Sequence, residues 1–153
     1  MAIALSTAGI TVGYAVGATR PTANYTLIPD VKSIPAFGDD VNTLQSTPLS
    51  ATVSHTYIAG LKDSGGAIGL TANDSNEFKT AWEGAITAYA GRDSGTNMWW
   101  EYKIPGLTKS FFFPGEPIAL GFGGADVDSV LETTANIVPN GDYEWATAST
   151  VSP

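Results

Sequence analysis

Cysteine is absent from the 153 residues. That removes disulfide staples, thiolate nucleophiles and thiolate metal ligands together, and it suits a protein made in the cytosol or a particle assembled there. Histidine occurs once, as His55, in a stretch of Thr and Ser. A catalytic imidazole needs a carboxylate and a nucleophile beside it, and a zinc site needs more ligands than one. His55 therefore reads as a surface or hydrogen-bonded structural residue. Positive charge is scarce: 7 Lys and Arg stand against 15 Asp and Glu, net −8, with no basic cluster. Tight binding to a phosphate backbone takes several positioned cations, so nucleic-acid recognition is not expected.

Charge of either sign is thin, at 14% of residues, against the usual quarter. Thr, Ser, Ala and Gly fill the places where Lys and Glu would normally sit. Such a surface has little to keep neighbours apart and suits burial against other subunits; a small, weakly charged Thr-rich β-domain is the alternative. Long hydrophobic runs are missing as well. Residues 1–19 are uncharged, but they have no basic leader and are broken by Ser6, Thr7, Gly9, Thr11, Gly13 and Gly17. Neither a signal peptide nor a membrane span is read. The glycosylation patterns at Asn24-Tyr25-Thr26 and Asn73-Asp74-Ser75 carry no weight without secretion.

Catalytic signatures are also lacking. No Gly-x-Ser-x-Gly elbow occurs, and Gly121-Phe122-Gly123-Gly124 lacks the helix and lysine of a phosphate cradle. Asp39-Asp40 and Asp126-x-Asp128 offer oxygen ligands, yet neither fits an EF-hand loop, and solvated loop carboxylates are the reading. No metal or other cofactor is implied. Two carboxylates converging on a glycan remain open as an enzyme reading. Exposed Trp99, Trp100 or Trp145 lining a sugar groove remain open as a binding one, although Trp100 shares a strand face with Met98 and Tyr102 and so suits a core.

What is present begins with one marked helix, expected from Asn73 to Gly91. Asp74 and Glu77 form an acidic variant of a capping box, and Gly91 suits a left-handed stop. Phe78, Trp82, Ala85, Ile86 and Tyr89 recur every three or four residues as one apolar stripe. The rest reads as strand or loop. Residues 1–25 are expected as a flexible arm holding a short strand at Gly9–Ala15. An edge strand follows at Thr26–Ile34, bordered by prolines, then a long polar loop from Pro35 to Ser50.

Thr52–Ile58 and Ala67–Ala72 are expected to pair as a hairpin around Lys62–Gly66. Met98–Ile104 alternates. In Lys109–Phe113 three successive phenylalanines point to both faces, so the core should cover one face and the helix or a neighbouring subunit the other. Pro117–Phe122 is a further strand. Val127–Val138 sets Val130, Glu132, Thr134, Asn136 and Val138 against Leu131, Thr133, Ala135 and Ile137. Asn140-Gly141 signals a hairpin before a last strand at Tyr143–Ala148. The expected class is α+β: a mostly antiparallel β-sandwich or barrel with one flanking α-helix. Charge is uneven along it. From Thr108 onward Lys109 faces Glu116, Asp126, Asp128, Glu132, Asp142 and Glu144, a net of 1 − 6 = −5.

The order Gly13-Tyr14, then Tyr25-Thr26-Leu27-Ile28-Pro29-Asp30-Val31-Lys32-Ser33-Ile34-Pro35, a loop with Thr43-Leu44, and Thr56-Tyr57-Ile58-Ala59-Gly60-Leu61-Lys62-Asp63 ahead of the strand and helix resembles the major tail tube protein of tailed bacteriophages. The likeness covers roughly residues 9–138 and corresponds to the compact form of that family. The resemblance implies one tail-tube β-sandwich domain over residues 26–153, six copies closing a ring through their sheets, and rings stacking into a hollow tube in the virion tail, assembled in the host cytoplasm. It implies a structural, non-enzymatic role, with copies of itself, a tape-measure protein, a tail terminator and distal tail proteins as partners. DNA passes through transiently and no membrane is engaged.

Under that resemblance the 35–50 loop, with Asp39, Asp40, Asn42 and Leu44, is expected to reach the next ring. Glu132 is expected to face an acidic lumen that repels phosphate, with Glu101, Asp126 and Asp128 as further lumen residues. The helix should lie outside the inner barrel, packing Phe78, Trp82, Ile86 and Tyr89 on the sheet. A tube protein of a contractile tail, tailocin or secretion system carries the same signals.

Overall fold

The computed structural model describes residues 9–38, 40–50, 52–63 and 66–150. They form two compact units, one of residues up to Pro35 joined by those from Ala67 onward, the other Ala36–Gly66.

The larger unit is an antiparallel sheet with a single helix, as the α+β reading expects. In chain order its elements are β1 (Thr11–Gly17), β2 (Thr26–Ile28), β3 (Val31–Ser33), β6 (Ile68–Asn73), α1 (Asn76–Ala90), β7 (Asn97–Lys103), β8 (Lys109–Pro117), β9 (Glu132–Pro139) and β10 (Glu144–Thr147). The strands lie in the order β2-β1-β7-β8-β9-β6-β3, with β10 also on β8. This order forces curvature. A flat sheet would set β2 and β3 about 29 Å apart, at ~4.8 Å per neighbour. Only Pro29 and Asp30 separate them in the chain, a reach of at most about 11 Å. The sheet must curl until its two edges nearly meet, giving a half-barrel. The expected single edge strand at Thr26–Ile34 is thus two strands on opposite edges. Pro29 cannot donate to a ladder, and Asp30 takes the left-handed conformation, φ 63°, tolerated by Asp better than by bulkier residues.

Two further expectations are corrected. β1 pairs with β7 from Thr11↔Lys103 to Gly17↔Asn97, so the chain enters the sheet at Thr11 and residues 11–17 are not a free arm; residues 1–8 lie outside the described residues. Asn140-Gly141 is not a hairpin. β9 pairs with β8 through Pro117↔Ile137 and Gly115↔Pro139, and β10 pairs along the same strand through Phe112↔Glu144 and Lys109↔Thr147. The two run in one direction as a single interrupted strand, with residues 140–143 as a bulge. Asn140 N–H donates to Pro114 O at 3.1 Å, and a side chain at Gly141 would meet the Pro114 ring, so the bulge is seated against β8 itself.

The core is the inner face of this curl. Trp100 pairs with Phe113 and Tyr102 with Phe111, and Ile68, Leu70, Ala135 and Ile137 continue the same buried layer. The phenylalanine run is fully accommodated: Phe111 and Phe113 point inward, and Phe112 points outward yet is equally buried. Its cover is neither the helix nor a neighbour. Tyr25 packs on it at 5.8 Å between ring centroids, and the Arg20 guanidinium stands 4.7 Å above its ring. The connector between β1 and β2 therefore wraps the outer face.

The smaller unit is a two-stranded ribbon, β4 (Asp40–Gln45) with β5 (Tyr57–Asp63). Leu44 pairs with Ile58 and Gln45 with Tyr57. The 35–50 segment is thus no structureless loop. The expected Thr52–Ile58 strand begins only at Tyr57, and its partner is β4, because β6 is already bonded on both edges by β3 and β9.

Candidate assembly surfaces

The helix is anchored by its aromatic residues. Ser75, not Asp74, is the N-cap, its Oγ accepting from Phe78 N–H at 3.1 Å, while Asp74 pairs with Lys79 at 3.1 Å. Gly91 closes the helix at φ −92°, outside the left-handed region. Arg92 supplies the missing C-terminal partner, donating to Tyr89 O at 2.8 Å and lying over the Tyr89 ring, where a cation suits the dipole. Phe78 and Trp82 are fully buried; Ile86 and Tyr89 are half-buried. Trp82 meets Trp100 at 5.4 Å and its Nε1–H donates to Ile118 O at 2.8 Å. The helix therefore covers the inner face of the sheet. Trp100 is spent in this core, with its Nε1–H on Gly115 O, and cannot line a sugar groove.

The outer face of β9 and β6 is polar. Thr134 and Asn136 are exposed and stand opposite Thr71 and Gly69. Glu132 lies on this face, joined to Lys32 at 2.5 Å, so its charge is locally offset rather than free. Asp126 and Asp128 are exposed in the 118–131 excursion before β9. Asp126 and Glu132 border one shallow depression, with Gly123, Gly124, Ser129 and Val130.

Glu101 is a correction. It lies on the outer face of β7 but is 2% exposed, so it cannot face a bore. Its carboxylate accepts from the backbone N–H and hydroxyl of Ser149, at 2.9 and 2.5 Å. Lys103 Nζ donates to Ser149 O at 2.9 Å, and Arg20 pairs with Glu144 at 2.6 Å. These contacts strap residues 148–150 across the sheet, where Thr150 bridges Ala23 in parallel. Nothing about Ser149 in the sequence marks this role; a carboxylate alternating with aromatics on β7 was the only hint.

The ribbon exposes apolar residues on both faces. Leu44 (49%) and Ile58 (54%) share one face, and Tyr57 (59%) lies on the other. Leu61 is 88% exposed. Of the expected inter-ring residues, Leu44 is on this surface; Asp40 and Asn42 lie on β4, their side chains outside the described structure, as is Asp39. An isolated two-stranded ribbon is marginal in water, and one apolar on both faces needs cover on both. The unbroken run Tyr57-Ile58-Ala59-Gly60-Leu61, where a half-buried strand would alternate, was the readable signal for it.

His55 is exposed and bonded through Nδ1 to Gln45 at 2.6 Å, as a structural histidine should be. Among the described residues no group of three or more His, Cys, Asp or Glu could hold a metal ion, and no helix is long and apolar enough to cross a membrane.

No protein-family model matches the chain, and no curated protein sequence does. Solved structures do. A chain of the anti-feeding prophage baseplate, 6-fold symmetrised, superposes with a TM-score of 0.66 at 13% identity, over 96% of this chain and 98% of that one. A chain of the native gene transfer agent virion gives 0.62 at 10%, over 94% and 100%. A chain of the sheath/tube terminator structure of an extracellular contractile injection system gives 0.61 at 10%, over 95% and 99%. The protein has a tail-tube-like fold.

Proposed function

We propose that this protein is a structural subunit of a tail-type tube, assembling with copies of itself into stacked hexameric rings around a hollow bore in a virion tail. The observation that carries the reading is the end-to-end correspondence of fold with chains of such particles, including the tail of an empty gene transfer agent particle with C6 symmetry.

The surfaces described above supply the means. Curling brings the β2 and β3 edges together without closing them, and unpaired strand edges are satisfied when a neighbouring copy pairs with them. The ribbon, apolar on both faces, inserts between adjacent copies or rings, where burial orders it. A rotation that closes gives a ring, and stacking that does not close gives a filament. In this reading the bore passes DNA during ejection, the protein is not an enzyme, and a tape-measure protein, a tail terminator and distal tail proteins are its further partners. Assembly takes place in the host cytoplasm.

The domain boundary at residue 26 gives way to one protomer in which β1 belongs to the sheet and the ribbon is the reaching element. The lumen assignment stays with the outer face of β9 and rests on Glu132, while Asp126 and Asp128 belong to the excursion before it. Likeness to chains of contractile injection systems favours a second reading, the tube of a sheathed device. Negative-stain microscopy of tails purified with and without a co-expressed sheath gene separates the two.

A further inference from the structure

The curled sheet is electrically polar along the direction of β8. β8 begins at the Ile104–Thr108 turn, closed by Leu107 N–H on Ile104 O at 3.2 Å, and ends where the 118–131 excursion departs. That excursion does not fold back toward the turn. Ile118 N–H donates to Asn136 O at 2.9 Å, and Gly123 lies so close to the Glu132 carbonyl that a Cβ there would sit 2.2 Å from it. Residues 118–123 therefore run on beside β9, away from β8, and place the tip at the opposite end of the sheet from Lys109.

The two ends complement each other. The excursion carries Asp126 and Asp128 and no cation. The cations near that end are already engaged, Lys32 by Glu132 and Lys79 by Asp74, so its negative charge is uncompensated. At the other end Lys109 is exposed and without a partner among the described residues. Lys103 beside it shares Ser149 with buried Glu101, whose charge offsets its own. Each end also presents apolar surface that one protomer leaves uncovered: Phe122 at 79% and Val127 on the excursion, Leu107 on the turn.

We infer that the 118–131 excursion of one copy seats on the Lys103–Lys109 turn of a second copy, with Phe122 against Leu107 and Asp126 and Asp128 facing Lys109. The contact is head-to-tail and joins opposite ends of the strands, so copies displaced along the strand direction extend as a filament, and it sets the polarity with which they stack. It rests on the tube reading and names the surfaces that reading leaves open.

Charge exchange tests it. Lys109→Glu and the pair Asp126→Lys/Asp128→Lys are surface changes, and thermal melts check that each protein keeps the parent transition. Each variant alone should form tubes at about one-tenth of the parent yield or less, since like charges now face each other. Combining all three changes in one chain, or mixing the two variants, should restore tube formation. Parent-like tubes from either variant alone, or failure of both the combined chain and the mixture to recover, overturn this inference while the tube reading stands. A parent protein that makes neither rings nor tubes overturns both.

Discussion

Ser149 gives Glu101 two hydrogen bonds, one from its backbone N–H and one from its hydroxyl. A carboxylate taken out of water survives only where donors replace its hydration. Here the donors come from the last described residues of the chain, so a buried charge on β7 ties down the end of the fold. Glu101→Ala leaves two donors unpaired and should lower stability by about 1–3 kcal/mol. It should also loosen residues 148–150, read as faster hydrogen exchange at Ser149 and Thr150. Unchanged exchange there would contradict the strap.

Tyr102 makes the opposite case. Among the described residues its hydroxyl is buried with no partner, and burial holds its phenol well above the ordinary range. Removing an unsatisfied buried group releases its desolvation penalty, so Tyr102→Phe should be neutral or stabilising, by up to about 1–2 kcal/mol. A loss of stability in denaturant titrations would mean the hydroxyl has a partner.

Tyr25 is raised too, by burial first and by the nearby Glu101 charge second. A phenol with a raised folded pKa keeps its proton in the fold after the unfolded chain has lost it. The stability it contributes is therefore full below about pH 10, the ordinary tyrosine value, and is lost as pH climbs through and above that value. Denaturation midpoints should fall between pH 9 and 11, and the tyrosinate absorbance of these two residues should appear only on unfolding.

Trp82 joins helix to sheet through Trp100 and Ile118 O. Trp82→Ala opens a cavity at a fully buried site and should cost about 3–5 kcal/mol. Calorimetry reads it directly; a parent-like melting transition would show that the helix is not held this way.

Glu132 is the accessible carboxylate of the β9 face, with Lys32 beside it. Glu132→Lys would place two cations together where DNA is proposed to pass, and cations there grip phosphate. DNA ejection from normally assembled tails should slow. Unchanged ejection would remove this face from the bore.

The helix was legible because its aromatic stripe has one period and one buried side. The face assignments of β7 and β9 were legible for the same reason: Trp100 and Tyr102, or Ala135 and Ile137, alternate with residues of different character. What stayed hidden was pairing. Nothing local distinguishes Ile28 on one sheet edge from Val31 on the other, and Asn140-Gly141 serves a bulge as readily as a hairpin. Ser75 rather than Asp74 is the cap because it stands immediately before the first helical residue, with extended backbone angles. Glu101 looked available for a lumen because its partner is 48 residues away in the chain, and long-range satisfaction of a charge leaves no local pattern.

Electron microscopy of the purified protein bears most directly on the whole account. Polymerisation into hollow tubes, or six-fold rings stacked end to end, is the predicted result, with the ribbon and the sheet edges buried between copies. Particles that remain dispersed monomers across protein and salt concentrations, with Leu44, Ile58 and Leu61 still solvent-exposed, would contradict it.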